Sequence, residues 1–167
     1  LGVFLAKWIE NMSSKWDCYA LEPDPIAAEH LRSLNKFTVV QKTYSSSKDL
    51  VNFRVVTINK VLEHMDDPLN FLKAVKTSLD IKKSFIYVEV PDKFTIKHRP
   101  STDNILGSLH CNLYSPKSLL YVLENSGFEI LKIDRILEPS GKLTIFAFAA
   151  IKKILDKEEF RNEQKSN

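Results

Sequence analysis

Glycine is scarce in this chain, with four in 167 residues, against an average share of roughly 7%. An α/β nucleotide fold ordinarily places glycines in its first strand-to-helix turn, and only Gly2 stands where such a turn could end. Cysteine is nearly absent. Cys18 and Cys111 do not share a CxxC spacing, which argues against a disulfide framework and against a zinc site. No metal centre is expected, and a reducing, cytoplasmic setting is. Neither sign of charge dominates: the formal net charge is +3, too small to argue for nucleic acid or an anionic membrane as a partner. No apolar run approaches the roughly 18 residues of a membrane span.

What is present is an ordinary globular composition, 44% hydrophobic and 27% charged, enough for one domain with a real core. Apolar spacing predicts helices over residues 3–13, 25–34, 68–79 and 116–126, and strands over 17–22, 37–41, 53–58, 84–90, 128–136 and 142–149. Three of these helices open on a polar residue followed by proline: Asp24-Pro25, Asp67-Pro68 and Ser115-Pro116. The polar side chain can cap free backbone N–H groups, and proline lacks the N–H that a first turn leaves unpaired. Strands that are apolar almost throughout, alternating with helices, predict an α/β fold. Its sheet would be mainly parallel, with helices on both faces and a C-terminal antiparallel hairpin. Residues 92–113 lack a period and are expected to form a long loop, basic through Lys93, Lys97, His98 and Arg99. Residues 1–150 would form the domain and 151–167 a charged tail.

The most informative segment is residues 53–72, FRVVTINKVLEHMDDPLNFL. A short apolar strand runs into a polar turn with Asn59, Glu63 and His64, and Asp67-Pro68 then starts a helix. In an open α/β sheet such a strand end faces the ligand crevice. The string resembles the class I S-adenosylmethionine-dependent methyltransferases, in which the fourth strand leads into an LEHxxDP turn. The resemblance extends from Gly2 to about Ala150 and implies a Rossmann-like fold with S-adenosylmethionine as cofactor. It also implies methyl transfer to a small-molecule or sugar-linked acceptor. Leu1-Gly2-Val3-Phe4-Leu5 is similar to the end of the family's glycine turn, so the family's first strand and earlier glycines would lie upstream.

Within that frame, Glu22 ends the second family strand in ALEPDP, where the resemblance implies a carboxylate that accepts the ribose hydroxyls; alone, it reads more readily as a solvated strand-end carboxylate. Gly2 would approach the methionine end of the cofactor, and Asn59 and Glu63 would contact the cofactor from the turn. His64 could orient an acceptor or take its proton, because an unshifted imidazole titrates near neutrality; it could also simply bond the turn backbone. His110, in LHCNLYSPKSL, is similar to a family histidine that looks into the acceptor pocket. The family's adenine-binding acid has no clear counterpart in QKTYSSSKDL, although Tyr44 could stack on a base. Two other readings remain open at this point. One is a nicotinamide-dependent Rossmann oxidoreductase, which also places an acid after its second strand. The other is a non-catalytic relic or interaction domain.

Overall fold

The computed structural model describes residues 3–11, 16–44, 50–107 and 109–152. The chain forms two compact units, Leu1–Leu50 and Val51–Asn167. Gly2 and the tail beyond residue 152 lie outside the described residues.

The first unit runs α1 (Val3–Glu10), β1 (Tyr19–Leu21), α2 (Pro25–Ser33) and β2 (Thr38–Val40). β1 and β2 pair in parallel, with Tyr19 opposite Thr38 and Leu21 opposite Val40. Asp24 caps α2 by accepting the Ala27 N–H at 2.7 Å, and Pro25 occupies the first helical turn. Ala27, Ala28 and Leu31 form the buried face of that helix. The strand expected over 17–22 is shorter and less buried than its composition suggested. Only Ala20 is buried, while Tyr19 is exposed and Cys18 half-exposed. Successive side chains of a strand point to opposite faces, and one face here is covered.

The second unit holds β3 (Val55–Asn59), α3 (Pro68–Thr77), β4 (Phe85–Pro91), α4 (Pro116–Asn125), β5 (Phe128–Leu137) and β6 (Leu143–Ile151). Its sheet order is β3-β4-β6-β5. β3 and β4 are parallel, and β6 runs antiparallel to both β4 and β5. The predicted hairpin is therefore present, and its second strand inserts beside β4. The run Phe146-Ala147-Phe148-Ala149 divides between the two faces of β6. Ala147 and Ala149 lie opposite Val88 and Ile86 and are fully buried. Phe146 and Phe148 meet Tyr87 on the other face, with ring centroids 6.4 and 5.1 Å away. Small residues facing large ones let the covered side close without voids. Leu72 and Val75 of α3, Leu119 and Leu123 of α4, and Phe128 complete the core.

Each predicted cap forms. Asp67 accepts the Asn70 N–H at 3.0 Å, and Ser115 and Ser118 bond each other's backbone in a reciprocal box. Gly127, at φ +88°, ends α4 in the left-handed conformation that glycine adopts without a Cβ clash.

Residues 92–113 are not the aperiodic loop expected from sequence. They contain 3-10 turns at Lys93–His98 and Asn104–Leu106 and bury Asp92, Thr95 and Ile105. Thr95 Oγ1 accepts the Leu143 N–H at 2.9 Å and donates to the Leu143 carbonyl at 3.1 Å. Asp92 is fully buried and bonds Arg135. Arg99 donates to Asp103 at 2.8 Å and to the Ser140 carbonyl at 3.2 Å, and Lys142 also reaches Asp103. These bonds to the hairpin confer an order that no local period encodes. They also leave the loop less basic than its sequence suggests.

Two expectations follow. Leu119→Ala, inside the α3–α4 core, should lower the stability of the fold by about 2–5 kcal/mol in urea unfolding, whereas Ile26→Ala on the exposed face of α2 should change it by less than about 0.5 kcal/mol. Asp103 is held down to about 2 by the Ile105 backbone N–H, then by Arg99 and Lys142. A carboxyl depressed on folding contributes stability above its unfolded value near 3.8, and that contribution disappears as pH falls toward 2. Comparing the urea midpoints of the native sequence and Asp103→Asn from pH 5 to pH 2 should show the gap between them closing as acid is added.

Candidate functional site

The site is built at the carboxyl end of the parallel pair β3–β4, the edge where open α/β sheets present ligand crevices. β3 ends at Asn59, which faces Glu89 in register. The next residue, Lys60, takes a left-handed conformation at φ +54° and sends its N–H to the Glu89 carbonyl at 2.9 Å. Such a conformation is uncommon outside glycine, and here it turns the chain sharply off the sheet. The Lys60 ammonium anchors this turn. It reaches Glu138 at 2.9 Å and Glu89 at 3.3 Å, and it bonds Thr144. Burial tends to raise the Glu138 carboxyl, but hydrogen bonds from Thr144 and Lys60 outweigh it and the net shift is downward. Tyr87 donates to Glu89 at 2.6 Å; burial, reinforced by that bond, raises its phenol. Sequence reading missed this network, because Lys60 and Glu138 are far apart in the chain and carry no joint motif.

The chain then forms the 3-10 turn Leu62–His64, in which Leu62 and Glu63 are buried and His64 is exposed. Residues 109–114 dock onto it. The Asn112 N–H donates to the Glu63 carbonyl at 3.0 Å, and Asn112 Nδ2 donates to the Met65 carbonyl at 2.6 Å. The Tyr114 hydroxyl reaches the Leu62 carbonyl at 3.4 Å. The Cys111 thiol lies 3.3 Å from Asp66, and donation to that carboxylate, followed by burial, raises its pKa. A thiol held in this way is a poor nucleophile.

Docking brings His110 beside His64, with ring centroids 4.9 Å apart in an edge-on arrangement. His64 Nδ1 lies 2.7 Å from the Leu109 carbonyl, and His110 Nδ1 lies 3.0 Å from the Ile105 carbonyl. A carbonyl only accepts, so both Nδ1 atoms carry hydrogen, which leaves Nε2 as the ring nitrogen turned away from the backbone partner. Glu63 completes the group. It is 1% exposed, and among the described residues its Oε2 has no hydrogen-bond partner. Burial raises its carboxyl, and the charge of Glu63 adds to burial in raising Tyr114.

Of the residues singled out from sequence, Glu63, His64 and His110 come together, and Asn59 stands at the strand end just before them. Glu22 belongs to the first unit. It is half-exposed after β1, and its Oε1 accepts the Asp24 N–H at 3.0 Å. Asn112 was not singled out, and no sequence signal marks it; only the fold shows that its side chain holds the two histidine segments together.

The model of the family described as "Methyltransferase domain" matches residues 5–133. The chain belongs to this family, in accord with its resemblance to the class I methyltransferases that use S-adenosylmethionine. No curated protein matches it in sequence. Solved structures share the fold at low identity. LepI in complex with SAM superposes with a TM-score of 0.70 at 10% identity, covering 90% of this chain and 40% of LepI. The 1,6-didemethyltoxoflavin-N1-methyltransferase of Burkholderia thailandensis, with 1,6-didemethyltoxoflavin and S-adenosylhomocysteine bound, gives 0.66 at 17% identity, covering 91% of this chain and 67% of that one. The [4+2]-cyclase SpnF gives 0.67 at 13% identity, with 90% and 72% covered. The chain thus spans well under half the length of LepI. Among the described residues no helix is long and apolar enough to cross a membrane.

Asn112→Ala should cost about 1 kcal/mol of stability through loss of its bond to the Met65 carbonyl. Amide hydrogen exchange at residues 109–113 should accelerate in that variant. Unchanged exchange there would show that the docking does not depend on this side chain.

Proposed function

We propose that the protein transfers a methyl group from S-adenosylmethionine to a small-molecule or sugar-linked acceptor. The observation that carries this reading is the family match over residues 5–133, together with a polar cluster at the carboxyl end of β3. Solved neighbours bound to SAM or to S-adenosylhomocysteine support the same cofactor class.

Glu22 suits a ribose. Its carboxylate is fixed by the Asp24 N–H at a strand end, and a carboxylate there can accept two hydroxyl hydrogen bonds. Gly2 is assigned to the methionine end of the cofactor and Asn59 to a cofactor contact at the end of β3. When bound, S-adenosylmethionine supplies an already activated methyl group on its sulfonium. The protein's own work is then to orient the acceptor, exclude water and manage a proton. His64 and His110 are assigned to the acceptor, because each holds Nε2 in a fixed direction. Glu63 is assigned to the cofactor contacts with Asn59, and one of its carboxylate oxygens lies within 4.8 Å of a ring nitrogen of each histidine.

The fold alone does not fix the reaction, as the name of the cyclase SpnF illustrates. Calorimetric titration of the full-length polypeptide with S-adenosylmethionine, S-adenosylhomocysteine and NAD separates the readings. The expected result is binding of the first two. Glu22→Gln should weaken it about tenfold or more without changing the melting temperature, as loss of hydrogen bonds to a charged group would. Binding of NAD alone would favour an oxidoreductase, and binding of none of the three a non-catalytic domain.

A further inference from the structure

We infer that Glu63, His64 and His110 form a three-ligand site for a divalent transition-metal ion. The inference rests on and deepens the proposed function, since it concerns the two histidines assigned there to the acceptor and the carboxylate assigned to the cofactor.

Three observations converge on it. One donor atom from each residue lies within 4.8 Å of the other two. Ligands about 2.0–2.2 Å from a shared ion stand roughly 3.4 Å apart in a tetrahedron, and at most about 4.3 Å apart where two sit on opposite sides of the ion in a higher-coordinate site. The observed spacing is close to that range, and both imidazoles can keep their backbone partners while a small adjustment brings the donors onto one ion. Second, both imidazoles have Nδ1 bound to a backbone carbonyl. This is the arrangement by which ligating histidines are oriented, because it fixes the tautomer that leaves Nε2 free for a metal. Third, Glu63 is almost wholly buried and its Oε2 lacks a hydrogen-bond partner among the described residues. A carboxylate oxygen buried and unpaired is costly, and a cation held with the two imidazoles would remove that cost.

The donor set selects the metal class. Two imidazoles and one carboxylate suit zinc, iron, cobalt, nickel or manganese, whereas magnesium and calcium prefer all-oxygen shells. Three protein ligands leave coordination positions open to solvent or to an oxygen of the acceptor. Absence of paired cysteines removed the usual zinc signal from the sequence, and the histidines stand 46 positions apart (110 − 64), so no short motif joins them.

The test uses full-length polypeptide stripped with EDTA and titrated with Co²⁺ and Zn²⁺, followed by calorimetry and by the visible absorption of bound cobalt. One equivalent should bind at micromolar concentration or below, with or without S-adenosylmethionine. His110→Ala and Glu63→Gln should each weaken binding at least tenfold, while His30→Ala, on the exposed face of α2, should leave it unchanged. No stoichiometric binding, or equal binding by His110→Ala in a protein that still melts cooperatively, would overturn the inference. Preference for Mg²⁺ over Co²⁺ would overturn the ligand assignment. S-adenosylmethionine affinity measured on the same samples reads the cofactor separately, so failure of the metal site and failure of the methyl-transfer reading are distinguishable.

Discussion

Everything distinctive in the second unit depends on the docking of residues 109–114 onto the turn that follows β3. The attachment is made by hydrogen bonds between the two segments: the Asn112 N–H to the Glu63 carbonyl, Asn112 Nδ2 to the Met65 carbonyl, and His64 Nδ1 to the Leu109 carbonyl. Each bond is modest on its own, of order 1 kcal/mol. Together they convert two segments distant in sequence into one surface with a buried carboxylate and two oriented imidazoles. The sheet supplies the platform, and Lys60, turned off the end of β3 and tied to Glu89 and Glu138, sets the angle at which the turn leaves it.

This division of labour accounts for what could be read from the residues. Asp24-Pro25, Asp67-Pro68 and Ser115-Pro116 marked three helix starts correctly, because capping is local chemistry between a side chain and N–H groups three residues on. The hairpin was legible for the same reason: two apolar runs flank a short turn. Residues 92–113 were misread as a featureless basic loop, because their order comes from Thr95 bonding Leu143 and Arg99 bonding Ser140, partners more than forty positions away. Burial along β1 is lower than the composition of residues 17–22 suggests, since an apolar composition does not tell how many faces of a strand are covered.

The candidate site was half legible. Glu63 and His64 announced themselves in the LEH turn, and His110 by its place before the Ser115 cap. Their meeting was not legible, because it is a tertiary contact made through Asn112, a residue without any motif. Nor was the chemical character of the group. A lone carboxylate and two scattered histidines look like surface residues in a string of letters, and only burial of the first and carbonyl partners for the other two reveal a matched set of donors.

The order β3-β4-β6-β5 has one more consequence. It gives the outer position to β5, the strand that carries Glu129, Lys132, Asp134 and Arg135, and keeps the apolar β6 inside. An outermost strand studded with both signs of charge, and bulged between Ile130 and Lys132, is a poor template for pairing with another chain. The placement of the hairpin therefore blunts this one edge of the described four-stranded sheet.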